Sequence, residues 1–227
     1  MTTLVDSFVN LKNIKVIDQN IDYEDYVALD LTISNSDLSS IDIKNPIAFE
    51  TYIEKLLQEN DAKVVFGGYN EKRFLYNHSG LFNDDSTCER NIHIGIDLWL
   101  KAGTPVLAAV DGKIHSFKNN IGTGDYGPTI ILEHLLDGTT FYTLYGHLSI
   151  ESISTIKIGD LVKQGNKIAT LGNANVNGGY APHLHFQIIK KIGDHKGDYP
   201  GVCSLVDLNY YLENCPDPNL LLKINEF

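Results

Sequence analysis

The chain has 227 residues, of which 43% are hydrophobic and 10% aromatic, and its formal net charge is −11 at pH 7. This composition supplies enough apolar side chains for a sizeable core and excludes a disordered chain. The acidic charge repels phosphate backbones, which excludes nucleic acid as a partner, and no stretch reaches the roughly 18 apolar residues of a membrane span.

The first 20 residues carry charges throughout and contain no apolar segment of the kind found in secretion signals. We therefore expect a cytoplasmic protein, with export by an unrecognised route as the alternative.

Three cysteines, Cys88, Cys203 and Cys215, are an odd number. A Cys203–Cys215 disulfide is compatible with the spacing, but free thiols are favoured when no export signal is present. The amino-acid sequence does not indicate an oligomeric state.

Residues 1–62 contain helical patterns and are predicted to form a partly helical N-terminal extension. Asn45 is a good N-cap and is followed by Pro46, which suits the first helical position. Phe49, Ile53 and Leu57 then recur at helical spacing. These features predict a helix over residues 46–59.

From Val64 onward the pattern changes to short apolar segments separated by turns, which is typical of strands. Asp137-Gly138 between two apolar segments predicts a hairpin. We expect a mainly β fold, an antiparallel sheet or sandwich, as the main domain over residues 63–195, with residues 196–227 as a C-terminal cap packed on it. The predicted strands cover residues 64–66, 94–100, 105–109, 113–117, 129–133, 140–144, 167–171 and 185–189.

Two histidines, His183 and His185, are separated by one residue in a predicted strand. Residues two apart share a face of a strand, so both imidazoles point the same way about 6–7 Å apart. A metal ion accommodates such a pair by accepting a ring nitrogen, whereas the alternative is an exposed pair on an edge strand.

A second motif, His93-Ile94-Gly95-Ile96-Asp97, adds an imidazole and a carboxylate. Zn²⁺ accepts nitrogen and carboxylate oxygen, and Gly95 allows a bend that turns both side chains inward. Three protein ligands leave one tetrahedral position for water, as in catalytic zinc sites. A fourth protein ligand, for which Cys88 is the nearest thiol in sequence, would instead make a closed structural site.

Six separated motifs occur in an order that resembles the lysostaphin/LytM-type zinc metalloendopeptidases, a family of peptidoglycan DD-metallopeptidases. The resemblance covers about residues 90–190. The motifs are His93-Ile94-Gly95-Ile96-Asp97, Gly103-Thr104-Pro105-Val106-Leu107-Ala108, Asp111-Gly112-Lys113-Ile114, Tyr145-Gly146-His147-Leu148, Gly159-Asp160-Leu161-Val162-Lys163-Gln164-Gly165 and Pro182-His183-Leu184-His185-Phe186.

The resemblance implies a small antiparallel β domain that binds zinc in a groove through His93, Asp97 and His185. It also implies that His147 and His183 assist catalysis, one as the base and the other by stabilising charge or protonating the leaving nitrogen. Zinc lowers the pKa of a bound water to roughly 7 and so supplies a nucleophile. The implied partner is a peptide or peptidoglycan-fragment substrate.

The sequence departs from the family pattern at Tyr180, where the family usually has a small residue, so we expect a reshaped groove rim. We therefore keep two alternatives to peptidoglycan cleavage, a non-catalytic ligand-binding domain and a cytoplasmic amidase that acts on a small metabolite.

Asp111 and Asp160 are candidates to hydrogen-bond a metal ligand, although turn chemistry also explains both. Other candidates are three groove residues that could bind a substrate carboxylate, namely Arg73, Tyr76 and Arg90.

Overall fold

The computed structural model describes residues 4–73 and 89–224, and these residues form thirteen strands and four α-helices. In chain order the strands are β1 (Tyr26–Leu29), β2 (Val64–Gly67), β3 (Glu71–Lys72), β4 (Ile92–His93), β5 (Ile96–Trp99), β6 (Pro105–Leu107), β7 (Gly112–Asn120), β8 (Gly127–Leu136), β9 (Thr139–Gly146), β10 (Leu161–Val162), β11 (Lys167–Thr170), β12 (His183–Ile189) and β13 (Val202–Cys203). The helices are α1 (Leu4–Val9), α2 (Pro46–Glu59), α3 (Leu208–Asn214) and α4 (Asn219–Leu222).

The main sheet has eight strands in the order β1-β2-β5-β12-β9-β8-β7-β10. All its neighbouring strands are antiparallel except β1 and β2, which are parallel. A two-stranded sheet, β11-β6, and a three-stranded sheet, β13-β4-β3, lie beside it. The mainly β, antiparallel fold class predicted from the sequence is confirmed.

The longest strands, β7, β8 and β9, form a meander on the β10 side of the main sheet. Asp137 and Gly138 connect β8 to β9 with φ angles of 47° and 80°. Positive φ at both turn residues matches the right-handed twist of a two-residue hairpin. The predicted Asp137-Gly138 hairpin is therefore confirmed.

The predicted helix over residues 46–59 is α2. The Asn45 side chain accepts hydrogen bonds from the backbone N–H groups of Ile47 and Ala48, which caps the helix N-terminus. The buried face of α2 includes Phe49, whose ring meets the edge of Trp99 on β5 at a centroid distance of 6.0 Å.

The N-terminal part of the chain also contributes β1, which the sequence analysis did not predict. Tyr26–Leu29 pairs in parallel with Val64–Gly67 and so extends the main sheet. The predicted boundaries after residues 62 and 195 stay predictions. Within the described residues, no helix is long and apolar enough to cross a membrane.

The two faces of β12 have different environments. Leu184, Phe186 and Ile188 point into the largest apolar cluster, which also contains Ile130 and Tyr145. The alternate residues His183, His185 and Gln187 are buried on the opposite face. The polar face of the central strand therefore carries the candidate site.

The C-terminal segment covers this opposite face. β13 pairs with β4, and Tyr199, Cys203 and Cys215 belong to an apolar cluster that also contains Ile189. Both cysteines are buried and free, so the described structure contains no Cys203–Cys215 disulfide. Cys88 lies outside the described residues.

Candidate metal centre

His93, Asp97 and His185 converge from three strands, β4, β5 and β12. Asp97 and His185 are directly opposite each other in the β5–β12 register. His93 Nε2 lies 2.9 Å from His185 Nδ1 and 3.3 Å from Asp97 Oδ1, and His185 Nδ1 lies 3.1 Å from Asp97 Oδ1. All three side chains are buried. The structure therefore brings together the three ligands predicted from the sequence.

Hydrogen bonds on the far side of each imidazole fix which ring nitrogen faces the centre. His93 Nδ1–H donates to the carbonyl oxygen of Gly68 at 2.9 Å. His185 Nε2–H donates to Oε1 of Gln187 at 3.0 Å, and Gln187 Nε2 in turn donates to the carbonyl oxygen of Pro200. His93 Nε2 and His185 Nδ1 consequently point their lone pairs at each other and at the Asp97 carboxylate.

This arrangement fits a zinc ion. Two acceptor nitrogens and a carboxylate oxygen at 2.9–3.3 Å repel one another unless a cation lies between them. Zn–N and Zn–O bonds of about 2.0–2.1 Å place tetrahedral ligand atoms roughly 3.3 Å apart, close to the observed separations. Among the described residues, this group contains three donors and no fourth.

Gly95, between β4 and β5, makes room for the ligand His185. A Cβ atom at this position would lie 2.5 Å from His185 Cε1 and 2.7 Å from His185 Nε2. The glycine of the His-x-Gly-x-Asp motif is therefore required by the close approach of the imidazole. It also lies where the chain passes from the three-stranded sheet to the main sheet.

His147 and His183 lie side by side next to the three ligands, with ring centroids 4.1 Å apart. Each donates its Nδ1–H to a backbone carbonyl, His147 to Asn177 at 2.8 Å and His183 to Ala181 at 2.8 Å. The Nε2 lone pair of each ring is therefore left as the proton acceptor.

The surroundings keep both of these histidines neutral. Burial lowers the pKa of His147 well below its usual value, and the neighbouring His183 and His185 lower it further. Burial also lowers the pKa of His183. Trp99 stacks on the His183 ring at 5.6 Å with an interplanar angle of 24°, which restricts that ring's orientation. The pair is therefore available as a base at neutral pH.

A cavity of about 430 Å³ opens over the five residues. Tyr180 contributes one wall, because its hydroxyl donates to the carbonyl oxygen of Gly124 and its ring packs on those of His147 and His183. Tyr180 thus lies at the cavity, and the expectation that it reshapes the groove rim stays a prediction. Other residues that line the cavity are Arg73, Arg90, Trp99, Asp125, Tyr126, Asp198 and Tyr199.

Arg73 and Arg90 both border the cavity but have different surroundings. Arg73 is buried, and its Nη1 donates to Asp97 Oδ2 at 2.5 Å, so it contacts a predicted metal ligand. Arg90 is exposed and donates to the carbonyl oxygen of Val202 through Nε and Nη2. Tyr76, the third predicted groove residue, lies outside the described residues.

The hydrogen-bond partners of the ligands differ from those considered in the sequence analysis. Asp111 binds Lys163 and the backbone N–H of Gln164, and Asp160 accepts from the backbone N–H of Lys157. Both aspartates therefore serve turns and contact no ligand. Gln187 was missed, although the alternation His183, His185, Gln187 along one strand face was the available signal.

Parts of the chain are similar to known proteins. Over 95 residues, 42% of this chain, it is 38% identical to an "uncharacterized metalloprotease" of Haemophilus influenzae, covering 18% of that protein. Over 104 residues, 46% of this chain, it is 36% identical to the peptidoglycan DD-endopeptidase ShyC of Vibrio cholerae, covering 21% of it. The chain thus spans less than a quarter of the length of either relative.

Among solved structures, the catalytic domain of lysostaphin from Staphylococcus simulans is 30% identical, with a TM-score of 0.36. The match covers 53% of this chain and 80% of that domain. Residues 91–197, which contain His93, Asp97, His147, His183 and His185, match the model of a family described as peptidase family M23. This part of the chain is a domain of that family.

Proposed function

We propose that this chain is a zinc-dependent hydrolase that cleaves a peptide or peptide-like amide bond. The observation that carries the proposal is the convergence of three lone-pair donors, His93, Asp97 and His185, beside two neutral histidines in one cavity. Family membership supports peptidase chemistry, and the described residues supply no fourth donor to the site, which supports a catalytic ion over a structural one.

In this proposal His93 Nε2, His185 Nδ1 and Asp97 Oδ1 hold the zinc. When bound, zinc polarises the substrate carbonyl and lowers the pKa of a coordinated water to about 7. The bonds to Gly68 and Gln187 keep the two imidazoles in the tautomers that the metal needs.

In this proposal His147 and His183 transfer the protons of the reaction. The Nε2 atom of one accepts a proton from the attacking water, and the other, once its own Nε2 has bound a proton, stabilises developing negative charge or protonates the leaving nitrogen. Their carbonyl partners, Asn177 and Ala181, hold both rings with the Nε2 lone pair free, so either ring can be the base.

A peptidoglycan-type peptide is the first candidate substrate, supported by the relative named as a peptidoglycan DD-endopeptidase. The second candidate is a small peptide-like amide. The wall formed by Tyr180 and Gly124 limits the cavity on one side, and the net charge of −11 disfavours adsorption to an anionic polymer. Arg90 is the candidate contact for a substrate carboxylate, since it is an exposed cation at the cavity.

The test is hydrolysis of muropeptides and of simple acyl-amino acids by the protein loaded with zinc. We expect amide cleavage that is lost with a chelator and restored by adding zinc. Cleavage that persists in the chelated protein would contradict the role of the metal. Binding of a muropeptide without hydrolysis, and without any dependence on zinc, would instead identify a non-catalytic binding domain.

A further inference from the structure

Two charged residues, Glu71 and Arg73, continue the hydrogen bonds of the metal centre from the second oxygen of Asp97. Arg73 Nε donates to Glu71 Oε2 at 2.8 Å, and Arg73 Nη1 donates to Asp97 Oδ2 at 2.5 Å. The side chains of Arg73 and Glu71 are 3% and 9% exposed. One guanidinium therefore connects the predicted ligand carboxylate to a second carboxylate that is largely buried.

We propose that Arg73 is a positioning residue that holds Asp97 as a one-oxygen ligand, and that Glu71 neutralises Arg73 so that a cation can bind nearby. The proposal rests on the zinc site of the proposed function. It goes further because neither residue belongs to the predicted ligands or to the predicted catalytic pair.

The two oxygens of Asp97 have separate partners. Oδ1 lies 3.1 Å from His185 Nδ1 and 3.3 Å from His93 Nε2, at the centre, whereas Oδ2 accepts from Arg73. A carboxylate with both oxygens free can rotate or chelate a metal with both. The charge-assisted bond to Arg73 removes that freedom and leaves Oδ1 facing the centre.

A bare arginine at this distance would oppose metal binding, because two buried cations repel strongly in a medium of low dielectric constant. Glu71 cancels the charge of Arg73 through its Oε2 atom. The pair thus supplies a directed hydrogen bond to Asp97 with no net charge. This explains why two charged residues are buried beside a site for a divalent cation.

The backbone places both residues accurately. Glu71 on β3 is opposite His93 on β4, and the backbone N–H of Arg73 donates to the carbonyl oxygen of Asn91. Glu71 Oε1 also accepts from the backbone N–H of Leu31 at 3.0 Å. The N-terminal segment that follows β1 is therefore linked through Glu71 and Arg73 to the metal ligand Asp97.

The test is the zinc dissociation constant of the full chain, measured by competition with a chelator for Arg73→Gln, Glu71→Gln and the double variant. Each single variant is expected to weaken zinc binding about 10- to 100-fold, the range found when partners of metal ligands are removed. The double variant is expected to be no weaker than Arg73→Gln alone, because without Arg73 there is no charge for Glu71 to neutralise.

Arg90→Gln is the matched control. It removes another arginine at the same cavity whose guanidinium donates to a backbone carbonyl, so its zinc dissociation constant is expected to equal that of the wild type. The visible spectrum of the cobalt-substituted protein provides a second readout. Arg73→Gln should alter it because Asp97 changes its mode of coordination, whereas Arg90→Gln should not.

A zinc dissociation constant within twofold of the wild type for Glu71→Gln or for a folded Arg73→Gln would overturn the proposal, as would additive losses in the double variant. If Arg73→Gln does not fold, Glu71→Gln decides alone, because it removes the charge of Glu71 while keeping the size of the side chain and one acceptor oxygen. Wild-type protein that binds no zinc would contradict the proposed function itself, which distinguishes the two failures.

Discussion

Single side chains around His185 determine the geometry of the centre. Its Nδ1 faces His93 and Asp97, its Nε2 bonds to Gln187, and Gly95 lies beneath its ring. These contacts leave the imidazole one orientation and one tautomer. The geometry of the site therefore depends on the absence of a Cβ atom at Gly95 and on the side-chain amide of Gln187 as much as on the three ligands.

Gly95→Ala is expected to displace His185 and lose most zinc affinity. A Cβ 2.5 Å from His185 Cε1 cannot be accommodated unless the imidazole or the strand moves. Zinc content after dialysis, with circular dichroism to check folding, measures the effect. The control is Gly122→Ala, where the nearest atom lies 3.5 Å from the added Cβ, and which should retain zinc.

His147→Ala and His183→Ala are each expected to lower kcat about 10²- to 10⁴-fold while zinc content stays at the wild-type level. Neither residue belongs to the three-donor group, so the metal should remain. Steady-state kinetics and metal analysis on the same samples check this. Loss of zinc in both variants would assign the two histidines to metal binding instead.

Secondary-structure elements bring the ligands together. The sequence predicted the strand that carries His183 and His185 but not how the strands pair. The alternation of His183, Leu184, His185 and Phe186 correctly predicted a strand with a polar face. The register that sets His185 opposite Asp97 was not predictable, because local periodicity does not determine which strands pair.

The dependence on strand pairing also explains why the sequence analysis did not predict β1 or the contact of Arg73 with Asp97. β1 is a four-residue strand in a segment with helical patterns, and it is stabilised by parallel pairing with residues 64–67, far along the chain. The contact of Arg73 with Asp97 likewise depends on the pairing of β3 with β4. The sequence analysis placed Arg73 in the groove because it lies upstream of His93. Its hydrogen bond to Asp97 could not be predicted without the fold.

Helix α2 offers a test at the scale of one element. Asn45→Ala removes the acceptor for the N–H groups of Ile47 and Ala48 and is expected to lower the free energy of unfolding by about 1 kcal/mol. Urea denaturation monitored by circular dichroism measures it. Gln58→Ala, an exposed change on the same helix, should stay within about 0.5 kcal/mol of the wild type.

The whole molecule combines a large apolar core with buried polar groups, of which His134 is one outside the site. His134 Nδ1 bonds to the carbonyl oxygen of Asp111, its Nε2 contacts the Thr143 hydroxyl, and its ring stacks on Phe141. Burial lowers the pKa of His134 from 6.5 to about 4. The folded state therefore holds a neutral histidine that the unfolded chain protonates at a higher pH.

The pH dependence of stability follows from this difference. Between pH 6.5 and about 4 the unfolded chain binds a proton at His134 that the folded chain does not, so the free energy of unfolding falls as the pH falls. The contribution of this one group is on the order of 3 kcal/mol. His134→Gln should show a smaller loss over that range in urea denaturation with chelator present, whereas the exposed His195→Gln should match the wild type.

The central claim is that His93, Asp97 and His185 hold one zinc ion in this chain. It is tested most directly by the zinc content, per chain, of wild-type protein and of His185→Ala after dialysis against buffered zinc. We expect one zinc per wild-type chain and almost none in the variant. A wild-type chain without zinc, or a variant that retains a full equivalent, would contradict the account.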